Sequence, residues 1–317
     1  MIVTITPNPA IDQFYWVDEI LTPETALLTR ANQTLASAGG KGINVSMQLN
    51  YLGMGTTTMG FIAGYMGHAV EHSLHEHNIT TNFVWTDGET RANIIVIVDG
   101  KEVSPIEVNA IGPQVSEMAL HRFERRYQNA LQRCDYLMCG GSLAPGLDED
   151  FYKTLLAKAH DNNVKTMLYG SGDEFNHACE LGPWMSKPDV RERSEVLGKP
   201  IGTKEQAYEV GQELLKTGSE IVVMAHSLTQ PLAEQMVFTK DGTWNYKANA
   251  VETVNRVGAG DTFMAGMLFK LLKDFDIPTA SRYGMAASLA STESKHTTVA
   301  NRNAIEQALQ RVEEEVL

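Results

Sequence analysis

The chain predicts an α/β fold with a mainly parallel central sheet, on the evidence of two recurring patterns. Short apolar or β-branched runs appear at Ile2 to Ile5, Thr56 to Phe61, Tyr136 to Cys139, Val164 to Leu168 and Ile221 to Met224. Between them lie amphipathic stretches, Ile43 to Leu52, Val115 to Arg133, Asp150 to His160 and Lys204 to Leu215. Strand and helix therefore alternate, as in a sheet covered by helices on both faces. One region breaks the rhythm: Arg91 to Val98 runs into Asp99-Gly100 and then Lys101 to Val103, the pattern of a hairpin. Together with Phe14 to Val17 it predicts a small separate sheet, a lid drawn from segments of about 11–32 and 83–108. No repeat, low-complexity tract or Pro/Ser-rich linker divides the 317 residues, so one domain plus this lid is expected, with pairing of two copies through the lid's outer face as a further expectation.

The charge balance narrows the partners. Thirty-nine acidic residues against 26 Lys plus Arg give a formal charge of −13, with no basic run to neutralise a nucleic-acid backbone or an anionic membrane. An anionic ligand therefore needs a local cluster of cations and backbone N–H groups. Cys134, Cys139 and Cys179 form an odd set without metal-ligand spacing, which fits buried thiols in a reducing compartment. Met1 leads directly into Ile-Val-Thr-Ile, without a basic and then apolar leader, and no run approaches the roughly 20 apolar residues of a membrane span. A cytoplasmic location is expected.

Two glycine-rich turns carry the chemistry. In Asn255-Arg-Val-Gly-Ala-Gly-Asp261 a turn opens a helix with Phe263, Met267 and Leu271 on roughly one face. The N–H groups of Gly258, Ala259 and Gly260, with the helix dipole, make an anion hole for phosphate. Asp261, just inside the helix start, is placed to take a proton from a hydroxyl attacking phosphorus; its plainer role is to stabilise the N-terminus. In Ser37-Ala-Gly39-Gly40-Lys41-Gly42-Ile-Asn44 a second turn enters a helix, with neither the P-loop nor the dinucleotide fingerprint. Its glycine amides, the Lys41 ammonium and the Asn44 amide suit a polar ligand, and alone it is also compatible with an ordinary loop.

Together these segments resemble the PfkB family of carbohydrate kinases. The resemblance also rests on Thr6-Pro-Asn-Pro-Ala-Ile-Asp12, Thr90-Arg91-Ala-Asn93, Asn109 with Gly112-Pro113, Gly141-Ser-Leu-Ala-Pro-Gly146 and Lys187-Pro-Asp-Val-Arg-Glu192, all in the family's order. It is nearest the branch of 1-phosphofructokinases and tagatose-6-phosphate kinases. The resemblance implies a ribokinase-like three-layer α/β/α fold, with ATP and Mg2+ as cofactors and a sugar phosphate as the other ligand. It implies Asp261 as base and Gly258 to Gly260 as anion hole. Asp12, Gly39, Gly40 and Asn44 would bind sugar hydroxyls, and Arg91 the substrate's phosphate, through parallel guanidinium donors. Lys41 and Ser142 would add donors to the phosphate or the sugar. Lys187 and Asp189 fall on the nucleotide side, and Glu192 with Asp189 would organise Mg2+, largely through water.

The departures concentrate on that nucleotide side. Asp189 stands where the family has Asn, and Tyr169-Gly-Ser-Gly172 where it has Asp-Thr-Ser-Gly. The segment Met224 to Glu234 lacks the family's Ser-Leu-Gly-x-x-Gly, leaving Ser227 as a nucleotide contact, and Lys295 to Thr298 replaces a Gly-Thr near the adenine pocket. Three functions stay open at this level: a kinase for fructose 1-phosphate or tagatose 6-phosphate, a kinase for an unphosphorylated sugar or nucleoside, and a sugar-phosphate or nucleotide sensor on the same scaffold. Arg91 and Lys41 favour the first over the second, and the intact Gly258 to Asp261 argues against the third.

Overall fold

The computed structural model describes residues 1–20, 28–99, 105–225, 234–248, 253–294 and 299–317. All five sequence-predicted strands lie in one eleven-stranded sheet. Its parallel part runs, in spatial order, Ile221–Ala225, Met185–Pro188, Lys165–Gly170, Tyr136–Gly140, Ile2–Thr6, Thr56–Ile62 and Thr80–Thr81, with Val84–Trp85 also parallel to Thr56–Ile62. Three antiparallel strands, Glu234–Thr239, Gly242–Ala248 and Val312–Val316, extend the other side.

The pleat sorts these apolar runs onto two faces, because successive strand residues point opposite ways. Val3, Ile5, Leu137, Cys139, Leu168, Val222 and Met224 pack with Phe123, Tyr152, Phe175 and Leu214 from helices on one side. Ile2, Met138, Met167, Tyr169, Ile221 and Val223 pack with Leu49, Phe263, Met267 and Ala287 on the other. All three cysteines are buried and free. Among the described residues, no helix is long and apolar enough to cross a membrane.

A second, four-stranded sheet has the order Gln33–Gly39, Ala10–Val17, Arg91–Val98, Ile106–Asn109. The Ala10–Val17 strand begins four residues before the predicted aromatic run and sits between an antiparallel and a parallel neighbour. The antiparallel partner of Arg91–Val98 is Ile106–Asn109, with Val96 opposite Ile106, so the hairpin's return arm pairs later than the predicted Lys101 to Val103, which lies outside the described residues. Phe14, Trp16, Ile95 and Ile97 form this sheet's own core, and Val257 packs against it, tying the small sheet to the turn before Gly258.

Two helices hold that turn in place. Ala259–Leu271 crosses Ile277–Thr292 so closely that a Cβ on Gly266 would lie 2.8 Å from the Ala287 Cβ, and one on Gly284 2.8 Å from the Phe263 carbonyl oxygen. Backbone cannot yield as a side-chain tip can. Gly284→Val is therefore expected to lower unfolding free energy by about 1–3 kcal/mol, the usual cost of overpacking. A urea midpoint equal to that of the wild type would contradict the close crossing.

Candidate active site

The carboxyl ends of the parallel strands converge on a cleft of about 420 Å³. Loops leaving Thr6, Gly140 and Pro188 supply Asn8, Ser142, Arg191 and Glu192; the small sheet supplies Asp12, Arg91, Asn93 and Asn109; and two helix starts supply Gly40, Lys41, Asn44, Gly258 and Asp261. Ligand crevices of open α/β sheets lie at this edge.

Local geometry explains the glycines. Gly40 precedes the Lys41–Tyr51 helix with φ 116°, and a Cβ there would meet Thr6 Cγ2 at 2.5 Å. The Thr6 hydroxyl in turn accepts the Ile43 N–H at 3.0 Å, capping the helix from the strand's end. Gly39 serves Asp12: a Cβ on it would fall 2.0 Å from an Asp12 carboxylate oxygen. Gly258, with φ 81°, starts the Ala259–Leu271 helix. Within the expected anion hole, the Ala259 N–H donates to the Arg256 carbonyl at 3.3 Å, and Gly260 packs against the Tyr169 hydroxyl, 2.3 Å from where its Cβ would be. Ala259 itself is buried rather than part of the cleft wall.

Asp261 is 6% exposed. Its Oδ2 accepts from Asn44 Nδ2 at 2.8 Å, while Oδ1 has no hydrogen-bond partner among the described residues. Burial raises its pKa to about 6, against the opposing pull of Lys41 and of the Asn44 hydrogen bond. Asn44, expected to meet a sugar hydroxyl, thus orients Asp261. Asp12 Oδ1 accepts from Asn93 Nδ2 at 2.7 Å across the Ala10–Val17 and Arg91–Val98 pair, and burial raises Asp12's pKa as well. The Asn93 side-chain Oδ1 is buried without a partner among the described residues, an acceptor that suits a ligand hydroxyl. Arg91 is fixed by the Asn8 carbonyl at 3.1 Å and the Ala110 carbonyl at 3.4 Å, and lines the same cleft.

Lys41 is clasped by two carboxylates, Glu192 Oε1 at 2.5 Å and Asp189 Oδ2 at 3.0 Å. Burial disfavours its charge, but Asp189, Glu192 and Asp261 outweigh burial and hold its pKa above the ordinary lysine value. Conversely, burial would raise Asp189, and Lys41, Arg191 and Lys187 drive it well below the usual carboxylate range. Glu192 Oε2 accepts from Ser171 Oγ at 2.7 Å. As hard oxygens these carboxylates suit Mg2+, and with donors already on them they fit an ion that keeps its own waters. Among the described residues, no cluster of three or more His, Cys, Asp or Glu is arranged to hold a metal directly.

Lys187 is not in the cleft wall. It lies behind it with Tyr169, Asp189, Arg191, Gln235 and Gly260 around a void of about 10 Å³, and burial lowers its pKa to about 8. Ser227, with the rest of 226–233, and Lys295 to Thr298 lie outside the described residues. Sequence reasoning assigned no role to Asn8, Asn93, Asn109 or Arg191, although each stood in a quoted motif. Tyr169, buried between the Lys41 and Lys187 ammonium groups at 5.1 and 5.0 Å, was visible only as a departure.

The pfkB family carbohydrate kinase pattern matches residues 7–304. The chain belongs to this family. It is 30% identical over 295 residues to the 1-phosphofructokinase of Bacillus subtilis, covering 93% of each chain. A solved structure from Thermotoga maritima, described as a possible 1-phosphofructokinase, superposes with a TM-score of 0.91 at 29% identity, over 100% of this chain and 99% of that one. Arabidopsis thaliana ribokinase, 14% identical and covering 98% of each chain, superposes with a TM-score of 0.73, which marks the fold as ribokinase-like.

The raised pKa of Asp261 has a stability consequence with a definite sign. The unfolded carboxyl ionises near its ordinary value of 3.8, the folded one near 6, so above pH 6 the fold carries a buried charge that it disfavours. Below about pH 4 both states are protonated and the penalty vanishes. Asp261→Asn is therefore expected to be more stable than wild type at pH 7, by on the order of 1–3 kcal/mol, with the gap closing toward pH 4. Urea unfolding at pH 4, 5.5 and 7 checks this; a variant less stable than wild type at pH 7 would reverse the sign.

Proposed function

We propose that this carbohydrate kinase transfers the terminal phosphoryl group of ATP to a hydroxyl of a phosphorylated sugar, fructose 1-phosphate or tagatose 6-phosphate, giving a sugar bisphosphate and ADP. The observation that carries the proposal is the unpartnered Asp261 Oδ1 in a cleft that also holds Arg91. The first is a base with a free acceptor atom, the second a cation positioned away from it on the small sheet. A phosphorylated polyol satisfies both at once, its phosphate on Arg91 and its attacking hydroxyl on Asp261.

In this reading Asp12 and Asn93 take hydroxyls of the sugar, and Ser142 and Lys41 lie close enough in the wall to add donors. Asn44 holds the Asp261 carboxylate so that Oδ1 faces the acceptor. Gly258 and Gly260, at the positive end of the Ala259–Leu271 helix, receive the charge that spreads over the transferred group. Mg2+, when bound, neutralises charge on the donor's phosphates, and Glu192 and Asp189 would hold its waters. The small sheet of Ala10–Val17, Gln33–Gly39, Arg91–Val98 and Ile106–Asn109 acts as the lid that excludes water from the cleft. Its Ile94, Ile106 and Val108 are exposed, which supports pairing of two copies through that face.

A panel of sugars and sugar phosphates with ATP and Mg2+, read by ADP formation, tests the proposal. Turnover is expected for fructose 1-phosphate or tagatose 6-phosphate and not for their unphosphorylated parents. In Arg91→Ala the acceptor KM should rise by about 10-fold or more, while the ATP KM stays within about 2-fold. Faster turnover of an unphosphorylated sugar or nucleoside, or binding with no ADP formation across the panel, would replace this reading.

A further inference from the structure

We propose that Asn8 is a positioning residue for the acceptor's phosphate: its side chain ties together the two backbone segments whose carbonyls hold the Arg91 guanidinium. The inference rests on the reading above, in which Arg91 grips that phosphate. Two of the segments that carry the chain between the large and the small sheet meet at Asn8. Residues 7–9 lead from Ile2–Thr6 into Ala10–Val17, and residues 110–116 leave Ile106–Asn109 for the helix Glu117–Leu131. Asn8 lies in the first of these, 2% exposed and in the cleft wall. Its Nδ2 donates to the Ile111 carbonyl in the second at 2.8 Å. The same amide donates to the Leu143 carbonyl at 3.3 Å, in the loop after Tyr136–Gly140 that carries Ser142. One buried side chain thus fastens three loops at the edge of the cleft.

Arg91 is held by the segments so joined. Its Nε donates to the Asn8 carbonyl at 3.1 Å, and its Nη1 donates to the Ala110 carbonyl, the residue before Ile111, at 3.4 Å. The guanidinium therefore spans the entry segment and the exit segment of the small sheet, and its position depends on the distance between them. Neutral carbonyls hold it, which fixes the group without an ion pair to be broken when a phosphate arrives. A guanidinium has five N–H donors, so donors remain for that phosphate. Removing the Asn8 amide leaves both carbonyls in the chain but releases the tie that sets their spacing.

The next residue along fits the same arrangement. Gly112 has φ 95°, and a Cβ on it would lie 2.2 Å from Asn8 Oδ1. The Asn8 amide can reach Ile111 because the turn beside it carries no side chain, and the left-handed backbone there suits glycine for its own sake. Asn8 makes these contacts from a motif shared with Asp12, yet it touches neither Asp261 nor the groups around Lys41. Its effect is therefore expected on the acceptor's phosphate and not on the donor.

The test is steady-state kinetics on wild type, Asn8→Ala, Asn8→Ser, Arg91→Ala and the Asn8→Ala, Arg91→Ala double variant. ATP and Mg2+ are used with whichever of fructose 1-phosphate and tagatose 6-phosphate wild type turns over. Serine keeps a polar group in the buried site but is too short to bridge both carbonyls, so it reads the tie even where alanine unfolds the chain. Each Asn8 variant is expected to raise the acceptor KM by about 10-fold and to leave the ATP KM within about 2-fold. In the double variant the acceptor KM should exceed that of Arg91→Ala by less than about 2-fold, because both changes remove the same contact. A merely structural amide would raise both KM values together or multiply with Arg91→Ala. If Arg91→Ala raises the acceptor KM while the Asn8 variants match wild type, or if the two losses multiply in full, the positioning role is refuted and the kinase reading stands. If Arg91→Ala leaves the acceptor KM unchanged, or neither sugar phosphate turns over, both fall.

Discussion

The site depends on one ion cluster, the buried Lys41 and Asp189 with the more exposed Glu192 closing on Lys41 from the cleft side. It joins segments about 150 residues apart: the start of the Lys41–Tyr51 helix and the turn after Met185–Pro188. Removing the charge of Lys41 or of Asp189 would leave a buried partner undercompensated, the situation in which a buried pair becomes destabilising. The cluster also sets the field at Asp261. Lys41 pulls the Asp261 pKa down against burial, and the balance leaves it at about 6. A carboxyl poised there is ionised at neutral pH yet basic enough to take a proton, which is what a general base requires.

Much of this was legible because strand order is written in apolar periodicity. The five predicted parallel strands needed buried faces on both sides, and their apolar or β-branched runs show it despite Lys165 and the threonines at 56 to 58. The glycine turns were legible too, since Gly40 and Gly258 adopt backbone conformations that other residues resist. Pairing across strands was not. That Asp12 stands opposite Asn93, or that Asn44 reaches Asp261 across 217 positions, follows from register and helix placement, which no local pattern encodes. The return arm of the hairpin at Ile106–Asn109 was missed for a similar reason: Asp99-Gly100 is a strong local turn signal, whereas the pairing that forms sets Val96 opposite Ile106 and Asn93 opposite Asn109, a register that no local pattern encodes.

Two departures from the family pattern sit side by side in the structure. Tyr169 replaces an acidic residue and Asp189 replaces an amide. Their strands are neighbours, with Tyr169 opposite Lys187 and the Asp189 N–H donating to the Gly170 carbonyl at 2.6 Å. Asp189 meets Lys41 and Arg191 there, and the Tyr169 ring faces the Lys41 and Lys187 ammonium groups, a favourable placement for cations that burial would otherwise penalise.

The proposed role of Asp261 as the base, its ionisation set by burial, is tested most directly by the pH dependence of kcat/KM for the sugar-phosphate acceptor at saturating MgATP. The rate constant is expected to rise with pH through a single ionisation near 6, and an Asp261→Asn enzyme, its residual activity lower by about 10²-fold, to lack that acid limb. A wild-type profile flat from pH 5 to 7, or an Asn variant that keeps the same limb at wild-type rate, would contradict it.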